Sequence, residues 1–156
     1  EIVAHFRPAG RVCEPCKGGG AFLRAMPGAD WFEIAEGRDF LTAEGRWDWI
    51  VTNPPWRDVA PFLEKSMECS DNVVLLTWLT GVLTKARVRM VRNAGFGYAE
   101  FLLVPTPPKP WPQSGFQLAA TWLRRGWTGG TAFTMHNKEL STRTTPARPT
   151  QGTNQP

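Results

Sequence analysis

The sequence contains no apolar run of about 18 residues, the shortest length typical of a membrane-crossing helix, and no secretory signal pattern. Only three of its 156 residues are cysteines, namely Cys13, Cys16 and Cys69, and this odd number does not form a disulfide framework. These absences lead us to expect a cytoplasmic protein with no membrane partner.

Metal-ligating residues are also scarce. Cys13 and Cys16 form a Cys-x-x-Cys pair, but the sequence has no second pair of this kind, and its two histidines, His5 and His136, stand apart from it. Structural zinc sites usually combine four such ligands. We therefore expect no metal site.

Acidic residues are almost absent from the second half of the chain. Residues 72–156 contain ten Lys and Arg but only two Asp and Glu, a net charge of +8, whereas residues 1–71 contain eight and twelve, a net charge of −4. A basic half-domain favours an anionic partner and is typical of nucleic-acid binding, although charge alone governs only non-specific affinity.

The chain is long enough for one domain with a substantial core. Short apolar runs predict strands at residues 11–14, 31–35, 49–52, 73–77, 98–104 and 115–123. Helices are expected between them: Val59, Phe62, Leu63 and Met67 share one helical face, and a further helix is predicted over residues 83–93. Alternating strands and helices indicate an α/β domain. We expect it to span residues 1–140, with a disordered tail over residues 141–156, which are rich in Thr, Pro, Arg and Gln.

The stretch of clearest chemical character is the end of the third predicted strand, Asn53-Pro54-Pro55-Trp56. Two prolines stop the strand and stiffen the loop. The side-chain oxygen of Asn53 and the Pro54 carbonyl are acceptors for the two hydrogens of an amine on a planar group, while the Trp56 indole stacks on its face. Accepting both hydrogens makes the nitrogen a better nucleophile without a titrating base. The alternative is a proline-rich turn without chemistry.

A second stretch, Glu14-Pro15-Cys16-Lys17-Gly18-Gly19-Gly20-Ala21-Phe22, joins the first predicted strand to a helix start. Its glycines allow the backbone to approach a ligand, as in nucleotide-binding loops. The Glu14 carboxylate would repel a phosphate but suits an amino group, so a sulfonium ligand with an amino acid tail fits better than a dinucleotide. Glu33 lies where such folds hold ribose hydroxyls, and Asp39 is a candidate contact for an adenine amine. Solvated turns are the alternative for both.

In their order, these segments resemble the S-adenosylmethionine-dependent amino-methyltransferases, especially the adenine-N6 DNA methyltransferases, over about residues 10–125. The resemblance implies a Rossmann-like class I methyltransferase fold, in which helices flank a mainly parallel seven-stranded sheet with one antiparallel strand. It implies transfer of the methyl group of S-adenosylmethionine to the exocyclic amine of adenine. The chain is too short for a separate target-recognition domain, so selectivity would be weak or supplied by a partner subunit.

The resemblance also implies roles for individual residues. The catalytic loop would comprise Asn53, Pro54, Pro55 and Trp56. The cofactor would be held by Glu14, Pro15, Cys16, Gly18, Gly20, Phe22, Glu33, Asp39 and Asn53. Two other activities would suit the same loop: methylation of adenine or guanine in RNA, and methylation of a glutamine side-chain amide in a protein. The third alternative is a catalytically silent binding subunit with the same fold.

Two basic features are candidates for nucleic-acid contacts. Lys85, Arg89 and Arg92 share one face of the helix predicted over residues 83–93. The opposite face is formed by Leu83, Ala86, Met90 and Ala94. Lys109 and Trp111 lie in a proline-dense loop and offer a cation and a stacking ring. The alternatives are a solvated helix face and a structural clasp.

Overall fold

The computed structural model describes residues 1–107 and 115–135, and the predicted tail over residues 141–156 lies outside them. Within the described residues the strands are β1 Val12–Glu14, β2 Asp30–Trp31, β3 Trp47–Thr52, β4 Ser70–Trp78, β5 Phe96–Val104, β6 Leu118–Arg125 and β7 Ala132–Met135. The α-helices are α1 Ile2–Phe6, α2 Ala21–Ala25, α3 Val59–Cys69 and α4 Lys85–Asn93. Short 3₁₀ helices span Ile34–Glu36, Phe40–Thr42, Trp56–Asp58 and Leu79–Val82.

The seven strands form one sheet in the order β2-β1-β3-β4-β6-β5-β7. Strand β6 runs antiparallel to both of its neighbours, β4 and β5, and all other pairings are parallel. The predicted fold class, a mainly parallel seven-stranded sheet with one antiparallel strand, is therefore confirmed. No strand is predicted for β7, which is a short edge strand with little periodicity of its own.

The strand order reverses between β1 and β3, because the chain passes from β1 to β2 on one side and then crosses to β3 on the other. In open α/β sheets, ligands bind outside the carboxyl ends of the strands at such a point. Glu14 is the last residue of β1, and Asn53 directly follows the last residue of β3. The topology therefore brings the two sequence motifs to one crevice.

Apolar side chains on the two faces of the sheet build two core clusters. Ile50 and Val73 point to the face covered by α3 and α4, whereas Val51 and Val74 point to the face covered by α1 and α2. Successive residues of a strand alternate between faces, so a strand covered on both sides is apolar without interruption. This explains the uninterrupted apolar run in β4.

The strand predicted over residues 31–35 is wrong in extent, since β2 covers only Asp30–Trp31. The side chain of Glu33 ends the extended segment by accepting a hydrogen bond from the backbone N–H of Ala35, which caps the 3₁₀ helix that follows. A carboxylate that satisfies a free N–H at a helix start favours the turn over the continued strand.

The predicted inner face of the fourth helix is also wrong in part. Helix α4 begins after Thr84, whose hydroxyl accepts a hydrogen bond from the Arg87 N–H, so Leu83 falls outside the helix and is 39% exposed. Ala86 is exposed as well, and Val91 is the fully buried residue of α4. Met90 and Ala94 do pack against the core beside Val91, so the first turn of the predicted face is wrong and the second half is confirmed.

Candidate active site

A cavity of about 630 Å³ lies at the carboxyl ends of β1 and β3. Nine of the predicted site residues line it: Pro15, Cys16, Gly18, Glu33, Asp39, Asn53, Pro54, Pro55 and Trp56. The structure thus brings the glycine-rich loop, two carboxylates and the proline loop around one space, as parallel strands that end at the same edge require.

The proline loop is held by contacts of its own side chains. The indole Nε1–H of Trp56 donates a hydrogen bond to Oδ1 of Asn53, with 3.3 Å between N and O. Pro54 is buried, whereas Asn53 and Trp56 are half-buried at the cavity. Trp78, at the end of β4, packs edge-on against Trp56 with 5.3 Å between ring centroids. An acceptor and an aromatic face are therefore presented together in a stiff loop.

The glycine-rich loop turns on backbone conformations that favour glycine. Gly18 has a φ of +46° and Gly20 a φ of +72°, values that residues with a Cβ rarely adopt. The Gly20 N–H donates to the Lys17 carbonyl at 2.7 Å, and Gly20 is the N-cap of α2. Gly20 thus shapes the loop and does not line the cavity.

Two carboxylates of the cavity also organise the loops around it. Glu33 accepts hydrogen bonds from the backbone N–H of Gly18 at 2.9 Å and of Ala35 at 3.2 Å. Asp39 accepts one from the N–H of Leu41 at 2.9 Å and caps the 3₁₀ helix Phe40–Thr42. A carboxylate has about four acceptor sites, so both retain capacity for the hydroxyl or amine hydrogens of a ligand.

Glu14 is buried, with only 1% of its surface exposed, and it does not line the cavity, although its neighbours Pro15 and Cys16 do. Its Oε1 accepts a hydrogen bond from the Cys16 N–H at 3.0 Å, but its Oε2 has no hydrogen-bond partner in the described part of the chain. Burial raises the pKa of Glu14 to about 8, and the Thr52 hydroxyl and the Cys16 N–H, which favour the carboxylate, oppose this shift only partly. A buried carboxylate oxygen without a partner is a position for a ligand cation.

Sequence reasoning missed Thr52, the last residue of β3. Its hydroxyl is fully buried and, within residues 1–107 and 115–135, has no hydrogen-bond partner. The Thr52 hydroxyl lowers the pKa of both Glu14 and Cys16, so it lies close to both side chains, although neither contact has hydrogen-bond geometry. The one signal in the sequence is its place immediately before Asn53.

The cavity has further lining residues that were not predicted for the site: Ile34, Arg38, Phe40, Leu41, Asp58, Pro61 and Phe62. Phe62, predicted as a core residue only, stacks on Phe40 with 5.9 Å between centroids and also faces the cavity. Ile34 is 74% exposed and Leu41 38% exposed at the rim. Exposed aliphatic side chains beside a cavity suit a planar apolar group. In the sequence, the position of Ile34 directly after Glu33 is the available signal.

Phe22 is not brought to the cavity. Helix α2 turns its ring onto the sheet, where it packs against the cluster that contains Val51 and Val74. The structure therefore gives Phe22 a core position and no visible route to a ligand in the cavity.

The predicted nucleic-acid contacts lie elsewhere. Lys85, Arg89 and Arg92 are all exposed along α4 and do not line the cavity. Lys109 and Trp111 fall outside the described residues. The basic face of α4 is thus accessible, and its role stays a prediction.

Both thiols of the Cys-x-x-Cys pair have a raised pKa. Burial is the largest cause that raises the pKa of both, to about 12 for Cys16 and well above the ordinary thiol range for Cys13. Metal binding requires the thiolate. Among residues 1–107 and 115–135, no three His, Cys, Asp or Glu side chains are grouped so that they could hold a metal ion, and no helix has the length and apolar character to cross a membrane.

No protein-family model and no curated protein sequence matches the chain. Solved structures do match. A provisionally named RNA methyltransferase from Pyrococcus horikoshii has a TM-score of 0.61 at 15% identity, over 80% of this chain and 79% of that one. Magnesium protoporphyrin IX methyltransferase from Synechocystis PCC 6803, with bound S-adenosylmethionine, has a TM-score of 0.52 at 13% identity, over 80% and 74%.

The M protein of the type I restriction enzyme EcoKI also matches, with a TM-score of 0.53 at 12% identity. The match covers 78% of this chain but only 41% of the EcoKI protein. At these identities the likeness is one of fold. The chain has the fold of the class I Rossmann-like methyltransferases.

Proposed function

We propose that this protein is an S-adenosylmethionine-dependent amino-methyltransferase that acts on the exocyclic amine of adenine in DNA. The observation that carries the proposal is the position of Asn53 and Trp56 at the cavity that the glycine-rich loop also lines, next to the buried Glu14, which accepts a hydrogen bond from the lining residue Cys16. An amine acceptor, an aromatic face and a nearby carboxyl group for a cationic ligand are the parts that this reaction needs.

The hydrogen-bond acceptors at and beside the cavity fit the groups of S-adenosylmethionine. The orphaned Oε2 of Glu14 and the hydroxyl of Thr52 would pair with its ammonium group, which needs acceptors in an otherwise dry site. Glu33 would accept the ribose hydroxyls. Asp39 would accept the adenine amine, with Ile34 at the rim against the ring. When bound, the cofactor supplies an electrophilic methyl group on a sulfonium.

The proline loop would prepare the acceptor amine for attack. Oδ1 of Asn53 has two lone pairs, one of which takes the Trp56 N–H, so the second is free for one amine hydrogen. The Pro54 carbonyl would accept the other hydrogen, and the Trp56 indole would stack on the base. Both hydrogen bonds strengthen as positive charge develops on the nitrogen, so the loop stabilises the transition state more than the ground state.

Nucleic acid is the substrate class that the charge distribution favours. The exposed cations of α4, Lys85, Arg89 and Arg92, belong to the half of the chain with a net charge of +8. The target base would be flipped out of a duplex or taken from a single strand, because a base that is paired and stacked in a duplex cannot reach the proline loop. DNA is supported by the sequence motifs and by the likeness to the M protein of a type I restriction enzyme. A partner subunit would then supply target recognition.

RNA is the second candidate, supported by the likeness to the provisionally named RNA methyltransferase. The same loop would serve an exocyclic amine in either nucleic acid. A protein glutamine amide fits the loop as well, but an anionic substrate agrees better with the basic half of the chain.

The deciding experiment supplies S-adenosylmethionine with a labelled methyl group to duplex DNA, single-stranded DNA, RNA and a protein extract in parallel, followed by nucleoside analysis. We expect N6-methyladenine in DNA and none with the Asn53→Ala variant. Label in RNA or protein would change the proposed substrate class, while the proposed methyl transfer to an amine would stand. Bound cofactor without any transfer would point to a missing partner subunit or to a silent binding subunit, and would contradict activity of this chain on its own.

A further inference from the structure

Trp78 contacts the proline loop from a neighbouring strand. It is the last residue of β4, and β4 pairs in parallel with β3, whose end carries the loop. The rings of Trp56 and Trp78 meet edge to face, with 5.3 Å between centroids and 70° between planes. Trp78 does not line the cavity. It therefore touches the candidate catalytic loop without facing the substrate.

The ring of Trp78 packs closely against the backbone at Gly81. A Cβ at Gly81 would lie 3.0 Å from Cε2 and 3.1 Å from Cδ2 of Trp78, so any larger residue would have to shift the ring by a few tenths of an ångström. The segment that carries Gly81 is held in place in turn. The Arg87 guanidinium donates to the Gly81 carbonyl, and the Tyr98 hydroxyl donates to the Val82 carbonyl at 2.7 Å. Contacts from α4 and β5 thus hold the backbone segment against which the Trp78 ring packs.

The orientation of Trp56 matters because its N–H selects one end of the Asn53 carboxamide. The oxygen and nitrogen ends of an amide have almost the same shape, but only the oxygen accepts a hydrogen bond. With the indole N–H on Oδ1, the acceptor end stays on the side of the stacking ring. A carboxamide turned by 180° would present N–H groups to the substrate amine, and two donors repel each other. Phenylalanine or tyrosine at position 56 would have no ring N–H to donate to Oδ1 of Asn53.

We propose that Trp78 is a positioning residue: it holds the Trp56 indole so that its N–H keeps the acceptor oxygen of Asn53 aimed at the substrate amine. This inference rests on the proposed function of the proline loop, which it extends from the loop to the end of β4. Trp78 acts through Trp56 and makes no contact with the reacting atoms.

The first test is kinetic. Trp78→Leu should lower kcat by about 10- to 100-fold, as expected when a catalytic group moves by a fraction of an ångström to an ångström. The KM and Kd for S-adenosylmethionine should stay within about threefold, and Trp78→Phe, which keeps an aromatic edge, should recover most of the rate. In a Trp56→Phe background the same Trp78→Leu change should cost several-fold less, because the N–H that it positions is gone. Equal cost in both backgrounds would overturn the proposal.

The second test does not depend on activity. In protein labelled with ¹⁵N at the indole nitrogens, the Trp56 signal is identified by its loss in Trp56→Phe. In Trp78→Leu that signal should shift and its N–H should exchange faster with solvent. Trp127→Phe, which removes an indole that donates to the Gly130 carbonyl, is the matched control and should leave it unchanged. An unaltered Trp56 signal in Trp78→Leu would sink the proposal.

Gly81→Ala provides a milder variant should Trp78→Leu fail to fold, since the added methyl group displaces the Trp78 ring by only a few tenths of an ångström. It should move the Trp56 indole signal in the same direction. A shifted indole signal in a protein whose wild type transfers no methyl group would support the positioning contact and refute the proposed function. The two ideas can therefore fail separately.

Discussion

The backbone N–H of Gly18 donates a hydrogen bond to Oε2 of Glu33 over 2.9 Å, which joins the glycine-rich loop after β1 to the turn after β2. The two residues are 15 positions apart in the sequence. Because Glu33 also lines the cavity, the same carboxylate shapes the loop and stays available to a ligand. Loop geometry and ligand affinity should therefore change together when this side chain is altered.

Glu33→Ala should weaken binding of S-adenosylmethionine by about 10- to 100-fold, the cost of losing hydrogen bonds to a charged group. Titration calorimetry measures the affinity. Glu36→Ala is the matched control, because Glu36 pairs with Lys17 at the surface and does not line the cavity. Equal losses in the two variants would contradict a specific role for Glu33.

Asn53→Ala should lower kcat by at least about 10²- to 10³-fold, as the loss of a preorganised hydrogen-bond partner does in other enzymes. Cofactor affinity should fall far less than kcat, although the resemblance also places Asn53 among the cofactor's residues, and the melting temperature should change by only a few degrees. Trp56→Ala should behave in the same way through lost stacking. Surviving transfer with lost cofactor affinity would show that the roles have been assigned to the wrong ligand.

Glu14→Gln should stabilise the cofactor-free protein at neutral and higher pH. The folded pKa of Glu14 is raised from 4.5 to about 8, so the folded state binds this proton more tightly than the unfolded state and loses stability as pH rises between these values. Urea unfolding at pH 5, 7 and 8.5 should show a gap between variant and wild type that grows with pH to a few kcal/mol. A gap independent of pH would mean that Glu14 ionises without cost.

The same group predicts the pH dependence of cofactor binding. An ammonium group binds the ionised form of Glu14, so the affinity of the wild type for S-adenosylmethionine should rise as pH increases through about 8. Glu14→Gln should bind more weakly and lose this dependence. Calorimetry at several pH values, in buffers of different ionisation enthalpy, would also count the proton released. An unchanged proton count in Glu14→Gln would exclude Glu14 as its source.

Changing Lys85, Arg89 and Arg92 together to Gln should weaken DNA binding and make the slope of log affinity against log salt shallower by about two to three. All three side chains are exposed on α4. Neutralising Arg7, Arg24 and Arg124 removes the same charge from the side of the sheet that carries α1 and α2, and this control should keep most of the slope. Equal slopes in the two triple variants would mean that Lys85, Arg89 and Arg92 form an ordinary solvated helix face without a role in DNA binding.

The motifs of this protein were predictable because each is local. Asn53, Pro54 and Pro55 end a strand by their own backbone chemistry, and the glycine-rich loop marks a strand-to-helix turn in the same way. Parallel strands that end at one edge then bring such loops together, so nine predicted residues surround one cavity. Their individual roles stay predictions.

Two of the differences from prediction arise from tertiary packing, whereas the shorter β2 arises from the local cap at Glu33. The inner face of α4 depends on how the helix packs around Val91, and the place of Phe22 on the sheet depends on the direction in which α2 packs. Neither is encoded in the periodicity of a short segment. The face of α4 was predicted from helical spacing, and the role of Phe22 was implied by the family resemblance.

The sequence by itself determined the fold class and the chemical groups available at the carboxyl edge of the sheet. Only the tertiary structure decided how those groups are aimed: that Glu14 is buried near Thr52 with one oxygen that has no partner among the described residues, and that Trp78 packs against the Trp56 indole. The physical reason is that each of these contacts joins the ends of different strands. Their distance and orientation follow from sheet order and packing, which no single stretch of sequence contains.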